Sequence, residues 1–174
     1  MSKSRIVMRI ILGLMILGLL GIGYVIVSRR FPSYYLSRAE EAIEAEDYES
    51  ARINLLKLLS KHPDHAQGNL MLSDVLRDEA EANGRSRSYL FNKASVNYLA
   101  RAAELEPGDV GLQRRLLRAY IITRELGKAA KVAEDIYKND PQNADANFAL
   151  TWQAVERKDR AKAEELFEAF TNLT

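Results

Sequence analysis

The chain has 174 residues, 25 Lys plus Arg against 24 Asp plus Glu, and no cysteine. Residues 1–30 carry five of the basic side chains and no acid, so the other 144 residues hold 20 basic and 24 acidic groups, a net of −4. An acidic body argues against nucleic-acid binding, which needs cations to neutralise phosphates. The lack of cysteine excludes disulfides, thiolate catalysis and cysteine-based zinc sites.

Residues 1–9 form a short basic head with Lys3, Arg5 and Arg9. Residues 10–27 read IILGLMILGLLGIGYVIV, without a single charge. As a helix this run would cover roughly 27 Å, close to the hydrocarbon thickness of a bilayer. The expected element is a transmembrane anchor over 10–28, with Arg9 at one end, Arg29 and Arg30 at the other, and Tyr24 and Phe31 near the second interface. The run is longer than the apolar core of a cleaved leader, and no A-x-A site follows it. The short basic head favours the N-terminus in the cytoplasm and the body on the exported side, periplasmic in a bacterium.

Beyond residue 31 the chain is rich in Ala, Leu, Glu, Arg and Lys, with apolar residues at helical spacing and no convincing alternation. The expected fold class is all-α. Pro63, Pro107 and Pro141 punctuate the body at intervals of 44 and 34 residues. Frames laid on them cover 32–65, 66–109 with a ten-residue insertion, 110–143 and 144–174. Three frames carry an alanine at the same offset, where residues 46–51 read EDYESA, 124–129 RELGKA and 158–163 KDRAKA. A small residue there lets a second helix pack closely on the first. Leu55 and Leu58, Leu99, and Phe167 and Phe170 then line the seams between neighbouring hairpins.

The 34-residue spacing, the closing proline and the packing alanine resemble the tetratricopeptide repeat family. The resemblance covers roughly 32–174 and implies an α-solenoid of about four helical hairpins behind the N-terminal transmembrane helix. The family's small residue on the first helix is matched by Ala39 and Ser73 but replaced by Leu117 and Thr151. Its early aromatic is present only as Tyr35, and Ser95 stands where frame two should have alanine.

The insertion falls near residues 83–88, NGRSRS, between helices expected over about 66–82 and 88–106. It reads either as a solvated tip or as a contact point made by Arg85 and Arg87, with Tyr89 and Phe91 behind them. The last frame stops at Thr174, short of its proline position. Its apolar face is capped by the hairpin itself, by a partner, or by further repeats of a longer protein.

Little in the chain suggests chemistry. The two histidines, His62 and His65, flank Pro63 in a turn and lack further metal ligands. No phosphate-binding glycine loop, nucleophile elbow or zinc-protease motif occurs. The expectation is a protein without catalysis, cofactor or metal.

By resemblance, the first helices line a concave protein-binding groove. Its positions would be Leu36, Glu40, Ile43 and Glu44, then Leu70, Asp74, Arg77 and Asp78, then Arg114, Arg118, Ile121 and Ile122, then Phe148, Trp152 and Val155. The carboxylate clamp used by some members is not expected, because Leu36 and Glu40 stand where it needs Lys and Asn. The groove reads as acidic near the anchor, basic in frame three and apolar at the end, and reversing Arg114 and Arg118 to Glu should weaken partner binding. Phe148 and Trp152 serve either as an exposed anchor point or as packing inside the solenoid.

The expected function is a membrane-anchored, non-catalytic scaffold or adaptor that binds other proteins, as an accessory or assembly subunit of a membrane or envelope hetero-complex. The alternatives are a holdase-like chaperone for exported or membrane proteins, and the N-terminal part of a longer repeat protein. The lipid bilayer would be a partner through 10–28, and nucleic acid would not be one.

Overall fold

The computed structural model describes Met15, residues 31–84 and residues 93–171. Apart from Met15, the expected anchor over 10–28 lies outside the described residues, as do the head 1–9 and the tip residues Arg85, Arg87, Tyr89 and Phe91. Among the described residues no helix is long and apolar enough to cross a membrane.

Among the described residues eight helices follow one another: α1 (Pro32–Glu44), α2 (Tyr48–Lys61), α3 (Ala66–Ala82), α4 (Lys93–Leu105), α5 (Val110–Ile122), α6 (Leu126–Asn139), α7 (Ala144–Glu156) and α8 (Arg160–Thr171). Each packs on its predecessor and successor, so consecutive pairs form hairpins that stack in chain order.

Several helices start at side-chain caps, which satisfy backbone N–H groups that have no partner within the helix. His65, Asp109 and Asn143 cap the first helices α3, α5 and α7, accepting from the N–H of Gly68, Leu112 and Ala146 at 3.1, 2.9 and 3.0 Å. Asp47 caps α2 by accepting from the Ser50 N–H at 3.0 Å. Pro32 opens α1, where its missing N–H costs nothing. His65 is therefore a helix cap, as the turn reading of His62 and His65 expects.

The first helices end alike. Glu46, Arg124 and Lys158 adopt φ of 57°, 60° and 60°. Around each, two backbone bonds close the helix: Glu46 N–H to Ile43 O with Asp47 N–H to Ala42 O, Arg124 to Ile121 with Glu125 to Tyr120, and Lys158 to Val155 with Asp159 to Ala154. This is a Schellman closure around a left-handed residue. In the second hairpin the left-handed residue is Gly84, at φ 67°. The helix α3 has 17 residues where α1, α5 and α7 have 13, so four of the ten inserted residues add about one turn to it.

The core follows the repeat. Ala51, Ser95 and Ala129, at the expected packing offset, are fully buried, and Ala163 is half-buried. Leu117, which departs from the small-residue pattern, is also fully buried; its space comes from α6, which supplies Ala129, Ala130 and Ala133 to the same core. Tyr35 is buried at the start of α1, with the Lys61 amino group 2.7 Å from its hydroxyl.

One seam expectation is corrected. Leu55, Leu58 and Leu99 are buried, but Phe167 is 57% exposed and Leu166 is the buried residue of α8. Among the described residues α8 packs on α7 without a following helix to cover the Phe167 side. The side chain of Phe170 lies outside what is described.

Candidate functional site

The first helices lie side by side, tied by ion pairs that run from one hairpin to the next. Asp74 of α3 pairs with Arg115 of α5, and Asp145 at the start of α7 takes the Arg118 Nε at 2.6 Å. The Asp145 carboxylate holds the Arg118 guanidinium above its usual range. Asp74 also takes Arg77 at 3.0 Å, and Arg77 reaches Asp78 at 3.0 Å.

This changes the expected charge pattern of the face. Glu40 and Glu44 are exposed on α1, but Asp74 and Asp78 are balanced by arginines and Arg118 by Asp145. Beyond Glu40 and Glu44, the acidic and basic blocks of a linear reading become a run of ion pairs. The physical reason is that opposite charges on adjacent helices find each other across the stack. Arg114 is displaced from the expected set as well. Its guanidinium bonds Asp140 at 2.8 Å and lines a cleft among α4, α5 and α6. The residue that reaches α3 is Arg115, which the linear frame passed over.

The apolar part of the face stands as an exposed row. Phe148, Trp152 and Val155 on α7 are 46%, 44% and 59% exposed. They lie at i, i+4 and i+7, one side of a helix. Ile122 on α5 is exposed and Ile121 half-buried. Of the two readings of Phe148 and Trp152, the structure shows the exposed one.

A second repeated device was missed by the linear reading. The fourth residue of each of the last three frames is an amide that donates back to backbone carbonyls of the turn or helix before its own helix. Asn69 donates to Pro63 O and His65 O at 2.9 and 3.0 Å, and Asn147 to Pro141 O and Asn143 O at 2.7 and 3.0 Å. Gln113 donates to Ala103 O at 2.9 Å. The signal was present as an amide at a constant offset.

On the side of the second helices, the cleft among α4, α5 and α6 encloses about 570 Å³. Burial pushes the Tyr120 phenol on its wall up, against the pull of the Lys128 amino group 5.4 Å from the ring centre. A smaller cleft of about 400 Å³ occupies the equivalent position among α6, α7 and α8.

No protein-family model and no curated protein matches the chain. Among solved structures it is similar to the MamA RS-1 ArsTM double mutant, with 19% identity, 83% of this chain and 75% of that chain covered, and a TM-score of 0.52. It is also similar to YrrB, a TPR protein with an unusual peptide-binding site, with 18% identity, 88% and 91% covered, and a TM-score of 0.43. For MamA protein the values are 16%, 79%, 88% and 0.39. The stacked hairpins of α1–α8, with the first of these likenesses, give the described residues an all-α fold of stacked helical hairpins like that of the MamA double mutant.

Proposed function

We propose that the chain is a non-catalytic adaptor whose first-helix face binds a segment of another protein, and that residues 10–28 anchor it in a membrane. The observation that supports the binding face is the exposed row Phe148, Trp152 and Val155 on α7. Aromatic residues held by rigid helices suit a partner's apolar anchor, since little side-chain freedom is lost on contact. The paired charges around the row set orientation and encounter rate more than affinity. In this reading the anchor raises the local concentration of membrane partners, and the protein serves as an accessory subunit of a membrane or envelope complex on the exported side.

The test is extraction from the native membrane in mild detergent, with quantification of what co-purifies with the wild type and with a Phe148→Ala, Trp152→Ala variant. One or two proteins at fixed stoichiometry, lost in the variant, are the expected result. A diffuse, substoichiometric set of exported proteins would favour a holdase instead. Retention of a stoichiometric partner by the variant would move the binding face elsewhere. Recovery of the chain in the soluble fraction without detergent would remove the anchor.

A further inference from the structure

The charges left over on the first-helix face are all of one sign. Each arginine at its positions is held by an acid: Arg77 by Asp74 and Asp78 at 3.0 Å, Arg115 by Asp74, and Arg118 by Asp145 at 2.6 Å. Arg114 is turned away to Asp140. Glu40 and Glu44 on α1 are exposed and make no ion pair among the described residues. The same holds for Glu156, which follows Val155 on α7 at the frame offset of Glu44.

Local structure gives no reason for Glu40 and Glu44. They stand at i and i+4 of one helix, where like charges repel. The last turn of α1 holds no basic residue, so Glu44 meets the negative end of the helix dipole unaided. Glu41, between them in sequence, is paired with Arg38 at 3.2 Å. The arrangement costs the free chain stability that a cation would return. Glu40 shares its frame offset with Asp74, Arg118 and Trp152, one residue from each first helix, so the two carboxylates and the apolar row mark opposite ends of one face. At about 8–10 Å between packed helices, three steps from α1 to α7 span roughly 25–30 Å. An extended chain covers that with about eight or nine residues.

We propose, resting on the reading of this face as the adaptor's binding surface, that its partner is a cationic segment. An extended stretch of the partner places lysines or arginines against Glu40 and Glu44, and an aliphatic or aromatic residue on Phe148, Trp152 and Val155. The paired middle of the face carries no net charge, so it asks for no charge in the residues between. An acidic segment is rejected, because the arginines of the face already have carboxylates and Glu156 repels another beside the apolar row.

Trp152 is the only tryptophan of the chain and reports on the face directly. The full-length chain in mild non-ionic detergent is titrated with a synthetic peptide of about twelve residues, long enough for the span above, with lysines at one end and Leu-Phe-Leu at the other. It is made in both chain directions, and again with glutamate in place of lysine. The expected result is a saturable change in Trp152 fluorescence with a lysine peptide, about tenfold tighter than with either glutamate peptide at low salt and weaker as salt rises. Glu40→Lys with Glu44→Lys weakens the lysine peptide about tenfold, while thermal melting stays at or above wild type because a last-turn cation suits the helix dipole. Glu134→Lys with Glu168→Lys, exposed acids on the second helices α6 and α8, changes the net charge equally and leaves the affinity as it was. Equal affinity for both peptide charges, equal effects of the two double variants, or no binding of any peptide would overturn the cationic partner. Binding of both charges alike, lost in a Phe148→Ala, Val155→Ala variant, would overturn the charge preference and leave the adaptor face standing. Binding that this variant retains would overturn the face itself.

Discussion

The guanidinium of Arg115 on α5 pairs with the carboxylate of Asp74 on α3, joining the first helices of successive hairpins across 41 positions of sequence. Both side chains are partly exposed, so the pair belongs to the class whose net worth is small and sensitive to salt. A double-mutant cycle of Asp74→Ala and Arg115→Ala should give a coupling of about 1 kcal/mol or less at low salt. The same cycle in 1 M salt should shrink it further. Denaturant melts of the four proteins measure it, and a coupling that ignores salt would contradict the ionic account.

The left-handed residues at the hairpin turns should respond oppositely to glycine and alanine. Arg124 and Lys158 carry a Cβ at φ 60°, where it crowds the following carbonyl. Replacing either with glycine should stabilise the chain by several tenths of a kcal/mol to about 1 kcal/mol, after the entropic cost of glycine in the unfolded state. Gly84→Ala, at φ 67°, should destabilise by about the same amount although its Cβ meets open space. Thermal unfolding midpoints of the three variants decide the signs.

Asn147 is fully buried, and its amide satisfies two backbone carbonyls of the preceding turn. Asn147→Ala should cost about 1–3 kcal/mol, because both carbonyls lose a donor where water has little access. Asn147→Asp should cost more, since a carboxylate cannot donate and would face two carbonyl oxygens. Urea midpoints relative to the wild type measure both.

Asp47 supplies a pH-dependent contribution. The Ser50 hydroxyl and then the Ser50 N–H hold its carboxyl below the usual carboxylate range. A carboxyl lowered on folding adds stability above its unfolded pKa and loses it as pH falls through the folded value. The α2 contribution should therefore be full at neutral pH and fade below about pH 4, the ordinary aspartate range. Asp47→Asn keeps an N-cap that does not titrate, so its stability deficit should narrow as pH falls over that window. Thermal melts of the two proteins from pH 7 to pH 3 check the sign.

Much of the stack was legible along the chain because helical hairpins are built from local signals. Prolines close each of the first three hairpins where the frames put them, whereas the caps Asp47, Asp109 and Asn143 were found only in the structure. Ala51 and Ala129 marked close packing at a constant offset, and even the substitute Ser95 is buried as the frame requires. The candidate site was less legible. The exposed row of Phe148, Trp152 and Val155 sat at helical spacing, but spacing alone left open whether it faced inward or out.

The ion pairs Arg115 with Asp74, Arg118 with Asp145 and Arg114 with Asp140 join residues 26 to 41 positions apart, and no local rule selects Arg115 over Arg114. Phe167 matched a seam position whose equivalents Leu55 and Leu99 are buried, yet burial there needs a following helix packed on the same side. Periodicity and turn chemistry act over a few bonds, so the amino-acid order alone determines the helices of the described residues and their pairing into hairpins. Which charges cancel and which apolar faces stay open depend on distances between helices, and those exist only once the hairpins have stacked.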